Sequence, residues 1–249
     1  MLYPFILTFL AGLATMLGTI PIFINFKNND SIISSSCSFA GGVMICISIL
    51  DLIPESIKNL NNSFNSFFTI LISFFFLVIG IILSIIIDKS IDKINTNGNL
   101  YKAGILSMIV IILHNIPEGI VTFIFSNKNI LLGLSICIAI ALHNIPEGIS
   151  IAVPIYYSTG SRIKAILYTF ISSLSELIGA ILTYIFLKHY INNIIIGIIF
   201  SLTGGVMIGI SINNLIPVSK DYNRNNTFFF FLIGFGFMII SLLLSSLIS

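Results

Sequence analysis

Long apolar runs separated by short polar breaks make up almost the whole chain. The runs lie at about 3–25, 32–57, 64–87, 103–126, 129–157, 163–187, 191–218 and 227–248. Between them stand Lys27-Asn28-Asn29-Asp30, Lys58 to Asn62, Asp88 to Lys102, Asn127-Lys128-Asn129, Ser158 to Lys164, Lys188 to Asn193 and Lys220 to Asn226. These breaks are polar, asparagine-rich and short, as turns are. A helix needs roughly 20 apolar residues to cross a hydrocarbon layer about 30 Å thick. Each run is long enough for one crossing, so the pattern predicts eight transmembrane helices in one domain over residues 1–249. The opening Met1-Leu2-Tyr3-Pro4 lacks the basic segment of a signal peptide, so the first run is expected to be a retained span.

Composition agrees with lipid as the solvent. Of 249 residues 57% are hydrophobic and 8% charged, with a mean hydropathy of +1.10. A soluble domain carries about a quarter charged residues, and this chain lacks the polar surface to coat a globule. The net charge of +2 is small, and the basic residues are confined to the breaks. That is no footprint for nucleic acid. Cys37, Cys46 and Cys137 are scattered through apolar sequence without CxxC spacing and read as small hydrophobes. The first, third, fifth and seventh breaks hold eight Lys and Arg, against three in the others. The positive-inside rule then puts both termini outside, in a multi-pass protein of the cell (plasma or inner) membrane.

The acids do not follow the bases. Glu55, Glu118, Glu147, Glu176 and Asp51 lie within apolar runs, joined by His114 and His143. An ionisable group at membrane depth costs about 2.5–3.5 kcal/mol even on the lenient scale. No Lys or Arg lies in the interior of these runs beside them, so these groups must be protonated, face water or be neutralised by a bound cation. Imidazoles nearby suit a transition metal better than sodium.

Their order along the chain sharpens this. Leu113-His114-Asn115-Ile116-Pro117-Glu118-Gly119-Ile120 in the fourth run recurs as Leu142-His143-Asn144-Ile145-Pro146-Glu147-Gly148-Ile149 in the fifth. In each copy His and Glu are four apart, on one helical face and one turn from each other. Both can reach one ion. The proline between them removes a backbone donor and frees the carbonyl of Leu113 or Leu142. One copy alone also fits a kinked helix with buried polar contacts, but a kink does not need the same His, Asn and Glu twice.

A second duplication flanks the first. Gly41-Gly42-Val43-Met44-Ile45-Cys46-Ile47-Ser48 recurs as Gly204-Gly205-Val206-Met207-Ile208-Gly209-Ile210-Ser211, and Leu52-Ile53-Pro54 as Leu215-Ile216-Pro217, at a constant offset of 163. The second and seventh runs would cross in opposite directions, the arrangement of inverted repeats that many secondary transporters build around a midplane site. Helix packing alone would account for the glycines, though not for the whole match.

With the paired His-Asn-x-Pro-Glu-Gly motifs in hand, the chain resembles the ZIP (Zrt/Irt-like) metal transporters, and most closely their short bacterial ZupT-like branch. The resemblance covers nearly the whole length. It implies an all-α bundle in a 3+2+3 arrangement of spans and a binuclear centre. On that centre it places His114, Asn115 and Glu118 from the fourth span, His143, Asn144 and Glu147 from the fifth, Glu176 from the sixth and Met44 from the second. Asn144 stands where many relatives have Asp, which lowers the charge of one metal position. Asn213 and Asn214 occupy places where some relatives carry metal-binding groups near the cytoplasmic exit. The loop after the third span lacks the His-rich tract of eukaryotic members. Asp51 is read as guiding ions at the entrance or as a hydrated helix end, Glu55 as interfacial and His189 as a solvated loop residue.

The expected activity is import of divalent metal, zinc first and also Fe²⁺, with Mn²⁺ and Cd²⁺ less selectively, the ion being cargo rather than cofactor. No GxxxxGK[ST] cradle is present for a nucleotide. The expected partners are divalent ions and the lipid bilayer, with a homodimer as the candidate assembly. An intramembrane metallohydrolase would need an activated water and a general base, and HExxH is missing. A cation channel would line its pore with acids without binding tightly, which the paired histidines oppose. Gly119 and Gly148, directly after each Pro-Glu, are places where the helices could flex.

Overall fold

Asparagine caps the starts of four helices, which is one reason the polar breaks are so rich in it. The computed structural model describes residues 2–24, 27–92, 98–187 and 192–248. The side chains of Asn28, Asn129, Ser161 and Asn192 accept the amides of Ser31, Leu131, Lys164 and Ile195, each from extended backbone. Asn65 does the same for Phe68. Each cap satisfies an amide that the first helical turn would leave unpaired.

Among the described residues every element is helical. The chain runs through α1 (Leu2–Leu13), a 3-10 stretch (Ala14–Phe23), α2 (Asn29–Ile47), α3 (Ile53–Asn61), α4 (Ser66–Asp92), α5 (Gly98–Lys128), α6 (Ile130–Thr159), α7 (Arg162–Leu182), α8 (Asn193–Ile210) and α9 (Ile216–Ile248). Single π-helical turns at Ser48–Leu52 and Ser211–Leu215 join α2 to α3 and α8 to α9, and another follows α7 at Thr183–Leu187. The first two stand 163 residues apart, at the offset of the sequence duplication.

Seven helical stretches are long and apolar enough to cross a membrane. They correspond to the predicted runs, except that the last, Asn193–Leu244, contains both the seventh and the eighth. Its 52 residues would make about 78 Å of straight helix, over twice a bilayer core. The helix is interrupted where those two runs meet. Asn223 leaves helical geometry (φ −156°, ψ 95°), its Oδ1 accepts the Asn226 amide at 3.4 Å and its carbonyl accepts the Ser34 hydroxyl at 2.8 Å.

The breaks are shorter than their polar composition predicts. The fourth is Asn129 alone, and the third, read as Asp88 to Lys102, is helical through Asp92 and again from Gly98. Beyond the apolar core a helix still pairs its own backbone groups, so charged residues extend α4 and α5 without penalty. The predicted loop residue His189 lies outside the described residues.

Packing repeats across the chain with partners exchanged. Ser56 donates to the carbonyl of Gly197 at 2.6 Å, and Ser219 donates to that of Ser34 at 2.8 Å; both pairs carry the offset of 163. A Cβ at Gly80 would strike the carbonyl oxygen of Leu202, and one at Gly234 that of Phe39. Likewise Gly42 lies against the carbonyl of Phe231 and Gly205 against that of Leu77. Small residues let helix backbones approach this closely. The contact of α4 with α8 is thus repeated by the second half of α9 with α2. Between these pairs lie α5 and α6, against α1 and α7.

Candidate metal centre

The octapeptides fix the centre by their spacing. Pro117 and Pro146 sit inside continuous helices, so His114 and Glu118 share one face of α5, and His143 and Glu147 one face of α6. All four side chains are buried. His143 Nε2 and Glu118 Oε1 are 2.9 Å apart and hydrogen-bonded. His114 Nε2 lies 3.0 Å from the same oxygen and 3.5 Å from Glu147 Oε1. His114, Glu118 and His143 can each offer a ligand atom such that all three lie within 4.8 Å of one another.

Close approach here is not matched by hydrogen bonding. Neither ring nitrogen of His114 makes a hydrogen bond, despite the 3.0 Å approach to Glu118. Glu118 Oε2 and both carboxylate oxygens of Glu147 also lack a partner. A buried carboxylate left unpaired is expensive, and among the described residues the ion-pairing partners of these acids are the two histidines. Two imidazoles and two carboxylates, converging with unfilled lone pairs, are a donor set for a divalent transition ion.

The other proposed ligands are placed around this group. Asn144 is fully buried; its Nδ2 donates to the carbonyl of Ala11 at 3.0 Å and, in a short contact, to Glu176 Oε1. The structure therefore ties Asn144 and Glu176 to each other, leaving Asn144 Oδ1 and Glu176 Oε2 without partners. Asn115 is buried with neither amide atom hydrogen-bonded. Met44 lies in the apolar core. Gly119 and Gly148 have a packing role here: a Cβ would strike the carbonyl oxygens of Glu176 and Thr15, respectively.

A cavity of about 580 Å³ reaches the centre at Glu118 and His143. Asp51, Asn62, Lys128 and Asn193 also line it, so it extends to the helix ends at the second, fourth and sixth breaks. Asp51 stands in its wall, presented by the π turn; Glu55 lines it too and pairs with Lys58 at 2.7 Å. In the other direction, the next turns of α5 and α6 bring Val110, Ile111, Ile151 and Ile155 into one buried apolar cluster with Met44. Asn213 and Asn214 belong to neither place. They line a separate small cavity with Asp88, and Asn214 Nδ2 donates to Asp88 Oδ1 at 3.0 Å. Lys102, which also pairs with Asp88, was missed in sequence because it lies at the edge of a polar break.

Residues 98–242 match the family described as ZIP Zinc transporter. The chain is similar to the zinc transporter ZupT of Streptococcus mutans, 38% identical with 96% of each chain covered. It is similar as well to that of Clostridium perfringens, 36% identical over 98% of this chain and 96% of the relative, and to that of an Enterobacter species, 35% identical over 90% and 89%. With its paired motifs brought together inside a bundle of apolar helices, the chain is a multi-pass membrane protein that belongs to the ZIP transporter family and not to a family of enzymes.

Proposed function

We propose that the protein imports divalent metal ions across the cell membrane, zinc foremost. The observation that carries this reading is the buried convergence of His114, Glu118 and His143, with Glu147 beside them, at the foot of a cavity that Asp51 and Glu55 also line. The names of the relatives supply zinc as the first cargo. Mixed imidazole and carboxylate donors also suit Fe²⁺, and Mn²⁺ and Cd²⁺ with less discrimination. Glu118, with one oxygen between two imidazoles and the other unpartnered, bridges two ions in a binuclear centre. Glu147, Asn115, Asn144, Glu176 and Met44 complete it.

Eight spans in a 3+2+3 arrangement account best for the helices. Asn223 divides the last long stretch, and the exchanged serine and glycine contacts relate spans two and three to spans seven and eight as inverted repeats. The lysine and arginine bias puts both termini outside, so the large cavity opens outward. A cavity on one side and packed apolar turns on the other favour a carrier over an open pore. Asp51 draws ions toward the centre. The working assembly is a homodimer.

Zinc and iron influx into proteoliposomes, compared for wild type, Glu118→Gln and Glu147→Gln, tests the reading. Saturable influx that both substitutions abolish in folded protein is expected. Wild type that binds metal yet moves none would overturn it.

A further inference from the structure

The mouth of the large cavity carries charge of the sign that a bare cation avoids. The second, fourth and sixth breaks hold only three Lys or Arg, namely Lys58, Lys128 and Lys188. The first two line this cavity. Lys58 is neutralised on its own helix by Glu55 at 2.7 Å. Among the described residues no carboxylate pairs with Lys128. Its ammonium lies back over the ring of Phe125, 5.4 Å from the centroid and one turn nearer Glu118. A lysine at a helix end ordinarily reaches away from apolar surface into water; this one is laid against a ring of the cavity wall.

Size points the same way. The cavity of about 580 Å³ has about three times the volume of a divalent ion with about six waters, at roughly 30 Å³ for each water. Between its mouth and the centre the walls include Val121, Ile124, Ile136 and Ile140, which give a hydrated ion nothing to bind. Cavities of this order with apolar walls and a few placed polar groups fit small organic molecules. From Phe125 to Glu118 α5 rises about 10 Å. A metal at Glu118, a short carboxylate ligand on it and the ammonium of Lys128 together span that distance. The amides of Asn62 and Asn193 also line the cavity and can donate to a carboxylate. We propose that the cavity receives the metal as an anionic complex with a small di- or tricarboxylate, whose outward carboxylate Lys128 holds while the metal passes to His143 and Glu118. The inference rests on the transport reading for where the ion goes next, and identifies the form in which it arrives. In the exchange, oxygens of the carrier leave the metal as the imidazole and the Glu118 carboxylate bind it, and no electron moves. Asp51 and Glu118 repel the stripped anion, which returns outward past Lys128.

Zinc influx into proteoliposomes carrying the full-length protein tests this at a fixed free Zn²⁺ concentration. Citrate and total zinc are raised together, so that only the complex increases. Influx is expected to rise at least about threefold and to saturate, because charge complementarity at the mouth adds to the rate of capture. Lys128→Met should lose the rise and Lys128→Arg should keep it. Influx set by free Zn²⁺ alone in wild type would overturn the proposal, as would a rise that persists in Lys128→Met. Equilibrium binding separates the two readings. Labelled citrate should be retained by purified wild type only when zinc is present, and should not be retained by Lys128→Met. Such retention in a wild type that moves no zinc would sink the transport reading and leave the complex site standing. Zinc influx without any zinc-dependent retention of citrate would do the reverse.

Discussion

His143 on α6 and Glu118 on α5 meet across the helix pair, Nε2 to Oε1, at 2.9 Å. The contact crosses between the two copies of one octapeptide, so neither helix holds the centre by itself. His114 reaches the same oxygen at 3.0 Å and Glu147 at 3.5 Å, which puts Glu118 in the middle of the group and Glu147 at its edge.

This asymmetry between two glutamates in identical sequence surroundings is measurable. Glu118→Gln keeps the volume and removes the charge that both imidazoles share. It is expected to weaken zinc binding at least about 100-fold, or roughly 2.7 kcal/mol. Glu147→Gln should cost clearly less. Equilibrium zinc titration of the purified variants checks the order, and equal losses would refute a central Glu118.

The polar pattern made this centre legible, while the cluster of Asp88, Lys102 and Asn214 escaped it. A His and a Glu four apart must share a helical face, so pairing within each octapeptide followed from spacing. Their meeting across α5 and α6 depends on packing, which no spacing encodes. The Asn144–Glu176 bond was invisible for the same reason: its partners are 32 residues apart. Helix positions were readable because apolar runs of bilayer length have few alternatives. The π turns were not, since Ser48 and Ser211 each donate to the carbonyl four residues back, that of Met44 or Met207, as they would in an ordinary helix. Asn223 reads as loop by composition, yet structurally it is a cap between two helices.

Asn144 holds Glu176 by donating to it, which an ionised aspartate could not do. Asn144→Asp would set two carboxylates together and lose the bond to the Ala11 carbonyl. Lost buried hydrogen bonds of this kind cost about 1–3 kcal/mol. The metal-free variant should melt lower than wild type, and zinc should raise its melting temperature by more than it raises that of wild type. Thermal unfolding in detergent with and without zinc decides; an equal zinc response in both proteins would speak against a cation site at this pair.

Gly148→Ala sets a Cβ against the Thr15 carbonyl, a backbone atom that cannot turn aside. Overpacking of this kind costs about 1–3 kcal/mol. Gly236→Ala meets nothing within 4 Å, and alanine is the better helix former. The first substitution should lower the melting temperature and the second should not. Gly119→Ala, facing the Glu176 carbonyl, is expected to behave as Gly148→Ala does.

The cavity predicts a difference between two alanines on one helix. Ala139 lines the cavity, two turns from Glu147 toward the start of α6. Ala152 lies a little over one turn beyond Glu147 on the other side and is fully buried. The native thiols Cys37, Cys46 and Cys137 are all buried, so a cysteine introduced at either place reports its own access to water. In right-side-out vesicles, Ala139→Cys should react with a membrane-impermeant thiol reagent applied outside, at least about tenfold faster than Ala152→Cys, given the exponential cost of opening packed structure. Reaction at Ala139→Cys only from the inside would reverse the orientation assigned from the basic residues and leave the helix packing untouched. Equal reactivity at both positions would mean that the turns carrying Ile151 and Ile155 do not seal the centre, and the carrier reading would give way to a pore.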